Sequence, residues 1–269
     1  MNELLSPDIS ILQITDLHIL PSSNETFLGI NTEDYFLAVL NLALAENRPF
    51  DLIIVTGDLA QHPNLESYQR ILQHLEATHI PCICLPGNHD DAQLMQQIFN
   101  TQSVSCEKQI LLGNWQLIFL NSQVKGASCG RLSNEELYFL NDCLRTHPNH
   151  HALIALHHHC LETNSAWMDT MMIKNNIDLW AIIDKYPIVK IIANGHIHQL
   201  MDIEHKGVRV LGAPSTCFQF KPNSPNFSLD AMAAPGYRHI TLSSNGSFQT
   251  FISRLSEPLK DLQIDSLGY

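Results

Sequence analysis

Basic residues are scarce in this chain: 15 Lys and Arg stand against 27 Asp and Glu, a formal net charge of −12. Nucleic acids are gripped largely through clustered cations, so a nucleic-acid polymer is not expected as a partner. A small anionic substrate stays open, provided metal ions supply local positive charge. The N-terminus lacks the basic segment and apolar core of a signal peptide, and no apolar run approaches the roughly 20 residues of a membrane span, so no membrane partner is expected. No CxxC pair occurs among the seven scattered cysteines, and their number is odd. That usage fits a reducing cytoplasm, the expected location, with most thiols acting as small core residues. No break in composition divides the 269 residues, and 45% hydrophobic residues suffice for a sizeable core, so a single domain over 1–269 is expected. Nothing in the sequence fixes an oligomeric state.

What is present is organised around Asp51 to Asp58, DLIIVTGD. Leu52 to Val55 is too short for a helix and rich in β-branched residues, which predicts a buried parallel strand with Asp58 at its C-terminal tip. A lone Gly-Asp reads more simply as a turn or a cap. Four further apolar runs, however, end in the same kind of polar cluster: Ile9 to Thr15 before Asp16 and His18, Cys82 to Leu85 before Gly87-Asn88-His89-Asp90, Ala152 to Leu156 before His157-His158-His159, and Ile188 to Ala193 before Gly195-His196-Ile197-His198. Ligands bind at the carboxyl ends of strands in open α/β sheets. Asp, His and Asn are nitrogen and oxygen donors suited to Mn, Fe, Co or Zn, and a carboxylate such as Asp58 can bridge two ions. Asp16 and His18 are two apart, so they point the same way if the extended pitch of the strand persists.

Between these runs lie helical patterns. Asn31 or Thr32 caps a helix with Phe36, Val39, Leu40, Ala43 and Leu44 on one face, and Asn64 caps one bearing Tyr68, Ile71, Leu72 and Leu75. The resulting β-α-β-α-β predicts parallel strands with right-handed crossovers. Gly113-Asn114, Lys206-Gly207 and Asn245-Gly246 mark hairpins, and Ser133 with Glu136 reads as a capping box. Residues 213–236 hold four prolines and little periodicity, and are expected to form a lid on the substrate side. The tail from Glu257 has three outcomes open: docking on its own chain, pairing with another, or staying loose.

In this order and spacing, Asp16-x-His18, Gly57-Asp58, Gly87-Asn88-His89-Asp90, the histidine run and Gly195-His196-Ile197-His198 resemble the calcineurin-like metallophosphoesterases. Ile11 to Asp16, Leu28 to Thr32 and Ala213 to Pro222 are similar to the bacterial class III 3′,5′-cyclic-AMP phosphodiesterases. The resemblance implies an α/β fold, a four-layer α/β/β/α sandwich with two mixed β-sheets. It implies two divalent or mixed-valence transition-metal ions, Fe and Mn first and Zn or Co next, and a small-molecule nucleotide substrate. Asp16, His18 and His198 would hold one metal, Asn88, His158 and His196 the other, with Asp58 between them. The family's ligand histidine stands two residues before a proline; by register that is His158, flanked by His157 and His159, and Cys160 replaces the proline. A metal-bound hydroxide would attack phosphorus in line and open 3′,5′-cyclic AMP to 5′-AMP. Asp58 and His89 are the catalytic candidates, His89 as general acid or as a hydrogen bond to phosphate, with His18, Asp58, Asn88, His89 and His198 contacting substrate. Asp90 would steer His89 or cap a helix. Weaker candidates are Asn194 and Gln199 around the turn, Arg131 toward substrate, and Phe218, Phe220 or Trp167 stacking on a purine. Two rival readings stand beside this one: the same chemistry on a 2′,3′-cyclic nucleotide, glycerophosphodiester or nucleotide pyrophosphate, and a non-catalytic binding scaffold, which would be free to lose ligand residues.

Overall fold

A computed structural model describes residues 8–46 and 49–265. The chain opens with β1 (Ile9–Ile14), α1 (Thr32–Leu44), β2 (Leu52–Thr56), α2 (Leu65–Glu76), β3 (Cys82–Leu85), α3 (Ala92–Ile98) and β4 (Val104–Ser105). A second run follows: β5 (Gln109–Leu112), β6 (Trp115–Leu120), α4 (Asn134–Thr146), β7 (His151–Leu156), α5 (Ala166–Asp169), α6 (Asn176–Ile183) and β8 (Val189–Asn194). It closes with β9 (Met201–His205), β10 (Val208–Gly212), β11 (Gly236–Leu242) and β12 (Phe248–Arg254). One sheet runs β12-β11-β1-β2-β3-β4 and the other β5-β6-β7-β8-β10-β9. Both are mixed: β1 to β4 and β6, β7, β8 and β10 are parallel, and the antiparallel pairs are the three hairpins and β1 with β11.

The sandwich follows from period-2 alternation inside strands that are apolar on both faces. In β2 all five residues are buried; Ile53 and Val55 pack outward with Phe36, Val39, Tyr68 and Ile71 of α1 and α2. Leu52 and Ile54 face inward, where they meet Trp115, Leu117, Leu153 and Ile191 of the other sheet. That sheet's outer face, Ile118, Ile154 and Ile192, is covered by Leu140 and Leu144 of α4 and Leu179 and Ile183 of α6. Three apolar layers thus separate four layers of secondary structure, as expected of strands that read as continuous hydrophobic runs. Cys82 and Cys84 lie in the outer layer as core residues, and all seven cysteines are free thiols.

Asn31 caps α1, accepting from Glu33 N and Asp34 N, and Asn64 with Ser67 closes a full capping box on α2. The box expected at α4 is only half made. Ser133 accepts from Glu136 N, but the Glu136 carboxylate turns away to Lys108 and to Asn121 N.

Glu33 ties α1 to α2. Its carboxylate accepts from His74 Nε2 at 2.8 Å and from Arg70 Nε at 2.9 Å, while the Arg70 fork donates on to Leu20 O and Pro21 O beyond His18. The hydrogen bonds from His74 and Arg70 hold its carboxyl below the usual 4.5, against burial. A carboxyl depressed on folding adds stability above its unfolded value and loses it as pH falls through the folded one. Urea melts are therefore expected to show wild type losing stability below about pH 4.5 faster than Glu33→Gln, which should itself cost about 1–3 kcal/mol at pH 7.

The C-terminal tail docks on its own chain as far as residue 265, its last four residues lying outside the described ones. Gln263 N donates to Leu28 O, Lys260 N to Tyr35 OH, and Leu259 and Leu262 pack on the core. The expected lid divides in two. Residues 213–220 are buried, with Thr216 N bonded to Thr15 O and Ser215 Oγ to Asp16 O, and most of 221–233 is exposed or half-buried. Among the described residues no helix is long and apolar enough to cross a membrane.

Candidate metal centre

Five loops leave the C-terminal ends of β1, β2, β3, β7 and β8 and converge. The extended pitch expected after β1 does not persist. Asp16 and His18 take left-handed backbone, φ 54° and 48°, with Leu17 turned into the core. Asp58, His196 and His198 are also left-handed, so five of the eleven non-glycine residues at positive φ among the described residues gather here. Such conformations cost about 1–3 kcal/mol each and persist where surrounding structure over-determines them, often at functional sites. Gly57 and Gly87 permit the close approach. A Cβ on the first would lie 2.3 Å from His157 Nδ1, and on the second 2.1 Å from Asp58 Oδ1.

Two clusters result. In one, His198 Nε2 stands 3.3 Å from Asp16 Oδ1 and 3.2 Å from His18 Nε2. In the other, His157 Nε2 lies 3.2 Å from Asp58 Oδ2, 3.1 Å from Asn88 Oδ1 and 3.2 Å from His196 Nδ1. Asp58 Oδ2 is also 3.9 Å from His18 Nε2, so this one oxygen faces both clusters. Three of the four imidazoles, all but His196, are oriented from behind. His18 Nδ1 bonds Gln61 Oε1, His198 Nδ1 bonds Phe218 O, and His157 Nδ1 bonds Thr56 O, at 2.7, 2.8 and 2.9 Å. An oxygen acceptor there fixes the proton on Nδ1 and turns the Nε2 lone pair inward.

Burial alone would push Asp58 up, but the fields of His157, His89 and His18 outweigh it and hold the carboxyl well below its usual range. Burial takes His18 down to about 3 and drives His196 well below 6.5. For His157 burial loses to the ionised Asp58, which raises the ring to about 9. Ionised carboxylates, the rings of His18 and His196 kept neutral by burial, and ring nitrogens 3.2 Å apart form a donor set that fits cations of the Mn, Fe, Co and Zn kind, which would displace the proton of His157.

The sequence reading placed His158 on the second metal; in the structure its neighbour His157 faces Asp58 and Asn88, and both rings share one group of possible ligands with His196. His158 Nδ1 is bonded to Ser122 Oγ at 2.8 Å and its ring packs on Gly130, while the strand's alternation sends His157 toward Asp58 and Asn88. His159 pairs with Asp169 at 3.6 Å and stacks on His196. Cys160, in the family proline's place, is a core residue whose thiol burial pushes up to about 12.

Asp90 is not the cap of a helix. Its carboxylate accepts from Leu59 N, Ala60 N, Gly87 N and Tyr68 OH and so binds the Asp58 loop to the Asn88 loop; Asp91 is the cap of α3. Phe218 and Phe220 are fully buried, stacked on His18 and His198, and unavailable to a purine. Trp167 packs edge-on to Phe220 and Phe227, and Arg131 is an exposed side chain. Asn194 serves the turn itself, its Nδ2 on Gly195 O, with Gln13 donating to its carbonyl; Gln199 is buried beside the turn. Sequence reasoning missed Gln61 and the carbonyls of Thr56 and Phe218. Gln61 stands three residues beyond Asp58 and carried no motif, and a carbonyl leaves no trace in residue type.

The family model for calcineurin-like phosphoesterases matches residues 9–200. The chain belongs to this family. It is 41% identical to the 3′,5′-cyclic adenosine monophosphate phosphodiesterase CpdA of Vibrio vulnificus, covering 97% of this chain and 95% of the relative. It is 43% identical to a 3′,5′-cyclic-nucleotide phosphodiesterase of Nostoc, covering 95% of each. A dimetal phosphatase from Danio rerio shares the fold at a TM-score of 0.60 and 13% identity, over 91% of this chain and 99% of that one. As in calcineurin-like phosphoesterases generally, the clustered Asp and His residues support divalent metal binding.

Proposed function

We propose that this protein opens 3′,5′-cyclic AMP to 5′-AMP at a dinuclear metal centre in the cytoplasm. The observation that carries the reading is the Asp58 carboxylate oxygen facing two histidine clusters at once. Near-full-length identity to cyclic-nucleotide phosphodiesterases supports the substrate. Asp16, His18 and His198 would hold one metal, Asn88, His157 and His196 the other, and Asp58 both, with His157 taking the role the sequence reading gave to His158. An all-nitrogen-and-oxygen donor set favours Fe or Mn, with Zn or Co as substitutes. The metals, when bound, supply the Lewis acidity that activates water and polarises the phosphoryl group.

The chain's own residues do the rest. Asp16 and Asp58 keep the cations; Gln61, Thr56 O and Phe218 O hold the rings with their lone pairs inward. Asn88 and His89 follow Gly87 on a loop fixed to Asp58 by the His89 N–H at 2.9 Å. The His89 ring stands edge-on to His18, 5.1 Å between centroids, at the accessible side of the centre. From there it hydrogen-bonds the phosphate and protonates the departing 3′ oxygen, while His18, Asp58, Asn88 and His198 form the floor against which substrate sits. His89→Ala is expected to keep its metal content by elemental analysis while kcat falls about 10²- to 10⁴-fold; loss of metal would make His89 a ligand instead. The substrate is tested by comparing 3′,5′-cyclic AMP with 2′,3′-cyclic AMP and an aryl phosphodiester on Mn²⁺-loaded protein. Negligible 3′,5′-cyclic AMP turnover beside strong aryl-diester turnover contradicts the substrate and keeps the chemistry.

A further inference from the structure

The centre is sealed on almost every side. Asp16, His18, His157 and His198 are 0% exposed, Asp58 1% and His196 3%, whereas Asn88 and His89 are half-buried. A substrate therefore reaches the metals past Asn88 and His89. On that side lies a cavity of about 390 Å³ whose wall contains Asn88 itself, with Pro63, Asp91, Gln93, Gln123 and Lys125. Its size falls within the roughly 300–1,000 Å³ of small-molecule sites. The cavity on the other flank, about 210 Å³, meets Ile197 and Gln199, but the histidines beside them are closed off.

The wall comes from three loops, those after β2, β3 and β6, and it is tied together. Gln123 Nε2 donates to Gly87 O at 2.7 Å and to Asp90 O at 2.6 Å, which fixes the third loop to the one that carries Asn88. Asp91 Oδ1 accepts from Gln93 N and Leu94 N and fixes the start of α3. A pocket held in this way is already formed before a ligand arrives, which lowers the ordering cost of binding.

We propose that this cavity is the nucleoside subsite. The phosphate lies at the metals, and ribose and base extend past Asn88 between Pro63, Gln93 and Gln123. Pro63 offers an apolar face to a planar base. With its amide nitrogen committed to two carbonyls, Gln123 presents its oxygen as the acceptor for an exocyclic amine, a feature of adenine. Lys125 is the cation of the wall, beside the carboxyl residues Asp90 and Asp91, so the cavity suits the uncharged part of the ligand. The proposal rests on the cyclic-nucleotide reading above and adds where the organic half of that substrate lies.

Gln93→Trp tests it. Gln93 is exposed in the first turn of α3, so the larger ring fills the cavity without entering the core. With Mn²⁺-loaded protein, kcat/KM for 3′,5′-cyclic AMP relative to methyl p-nitrophenyl phosphate, a diester without a nucleoside, is expected to fall about tenfold or more. Calorimetric binding of 5′-AMP relative to inorganic phosphate should weaken in parallel. Turnover of cyclic AMP by the unaltered protein with no change in either ratio overturns the subsite alone. An unaltered protein that cleaves the small diester but not cyclic AMP overturns the substrate reading and the subsite with it.

Discussion

His157→Ala is expected to bind one metal ion per chain fewer than wild type and to lose on the order of 10³-fold in turnover, whereas His158→Ala keeps both metals. The first ring points its Nε2 at Asp58, Asn88 and His196, all within 3.1–3.2 Å. A metal contributes several kcal/mol of charge stabilisation to a phosphoryl transition state, and about 4 kcal/mol corresponds to that factor. The second ring is held by Ser122 Oγ at its Nδ1, and no hydrogen bond joins it to Asp58 or Asn88. Its removal leaves a cavity and takes from Ser122 Oγ its ring partner, while the bond from the backbone N–H of residue 158 stays, which predicts a loss of about 2–4 kcal/mol in a urea melt with metal content retained. Elemental analysis of the two variants decides between the adjacent histidines; metal loss in His158→Ala alone would restore the assignment made from register.

A still larger loss is expected at Asp58. One of its oxygens faces both clusters, the other accepts from His89 N, and the carboxyl stays ionised despite complete burial. Replacement by Ala removes one of the two buried carboxylates of the centre and the oxygen that faces both clusters, leaving Asp16 as the remaining carboxylate among four imidazoles. Both metals should weaken and turnover should fall on the order of 10⁴-fold. The fold is expected to survive by far-UV circular dichroism, because a buried carboxylate carries a desolvation cost of its own that largely offsets its attraction to His157. Turnover within about tenfold of wild type would remove Asp58 from the centre.

The elements that carry the site were legible because their physics is local. DLIIVTGD can be buried on both faces only as a central strand, and β2 is that strand. Asn64 announced α2 through a cap that needs only its own neighbours, and Gly113-Asn114 marked the turn between β5 and β6. What stayed hidden depends on partners far away in sequence. The choice between His157 and His158 turns on which face of β7 meets β2, a matter of sheet packing rather than residue type. Glu136 left its capping box because Lys108 and Asn121, on another element, offered better partners. Asp90 looked like a helper of its neighbour His89, and its bonds run to Leu59, Ala60 and Tyr68. The proline-rich stretch suggested a lid because proline breaks ladders wherever it falls, yet Phe218 and Phe220 draw its first half into the core behind the metal histidines.

The most direct test is a titration of metal-free protein with Mn²⁺, following 3′,5′-cyclic AMP hydrolysis at each equivalent with Asp58→Ala carried in parallel. The expected result is activity that rises to a plateau at two equivalents per chain and stays at background in the variant. Full activity at one equivalent, or equal turnover by Asp58→Ala, would contradict a centre in which one carboxylate serves two metals.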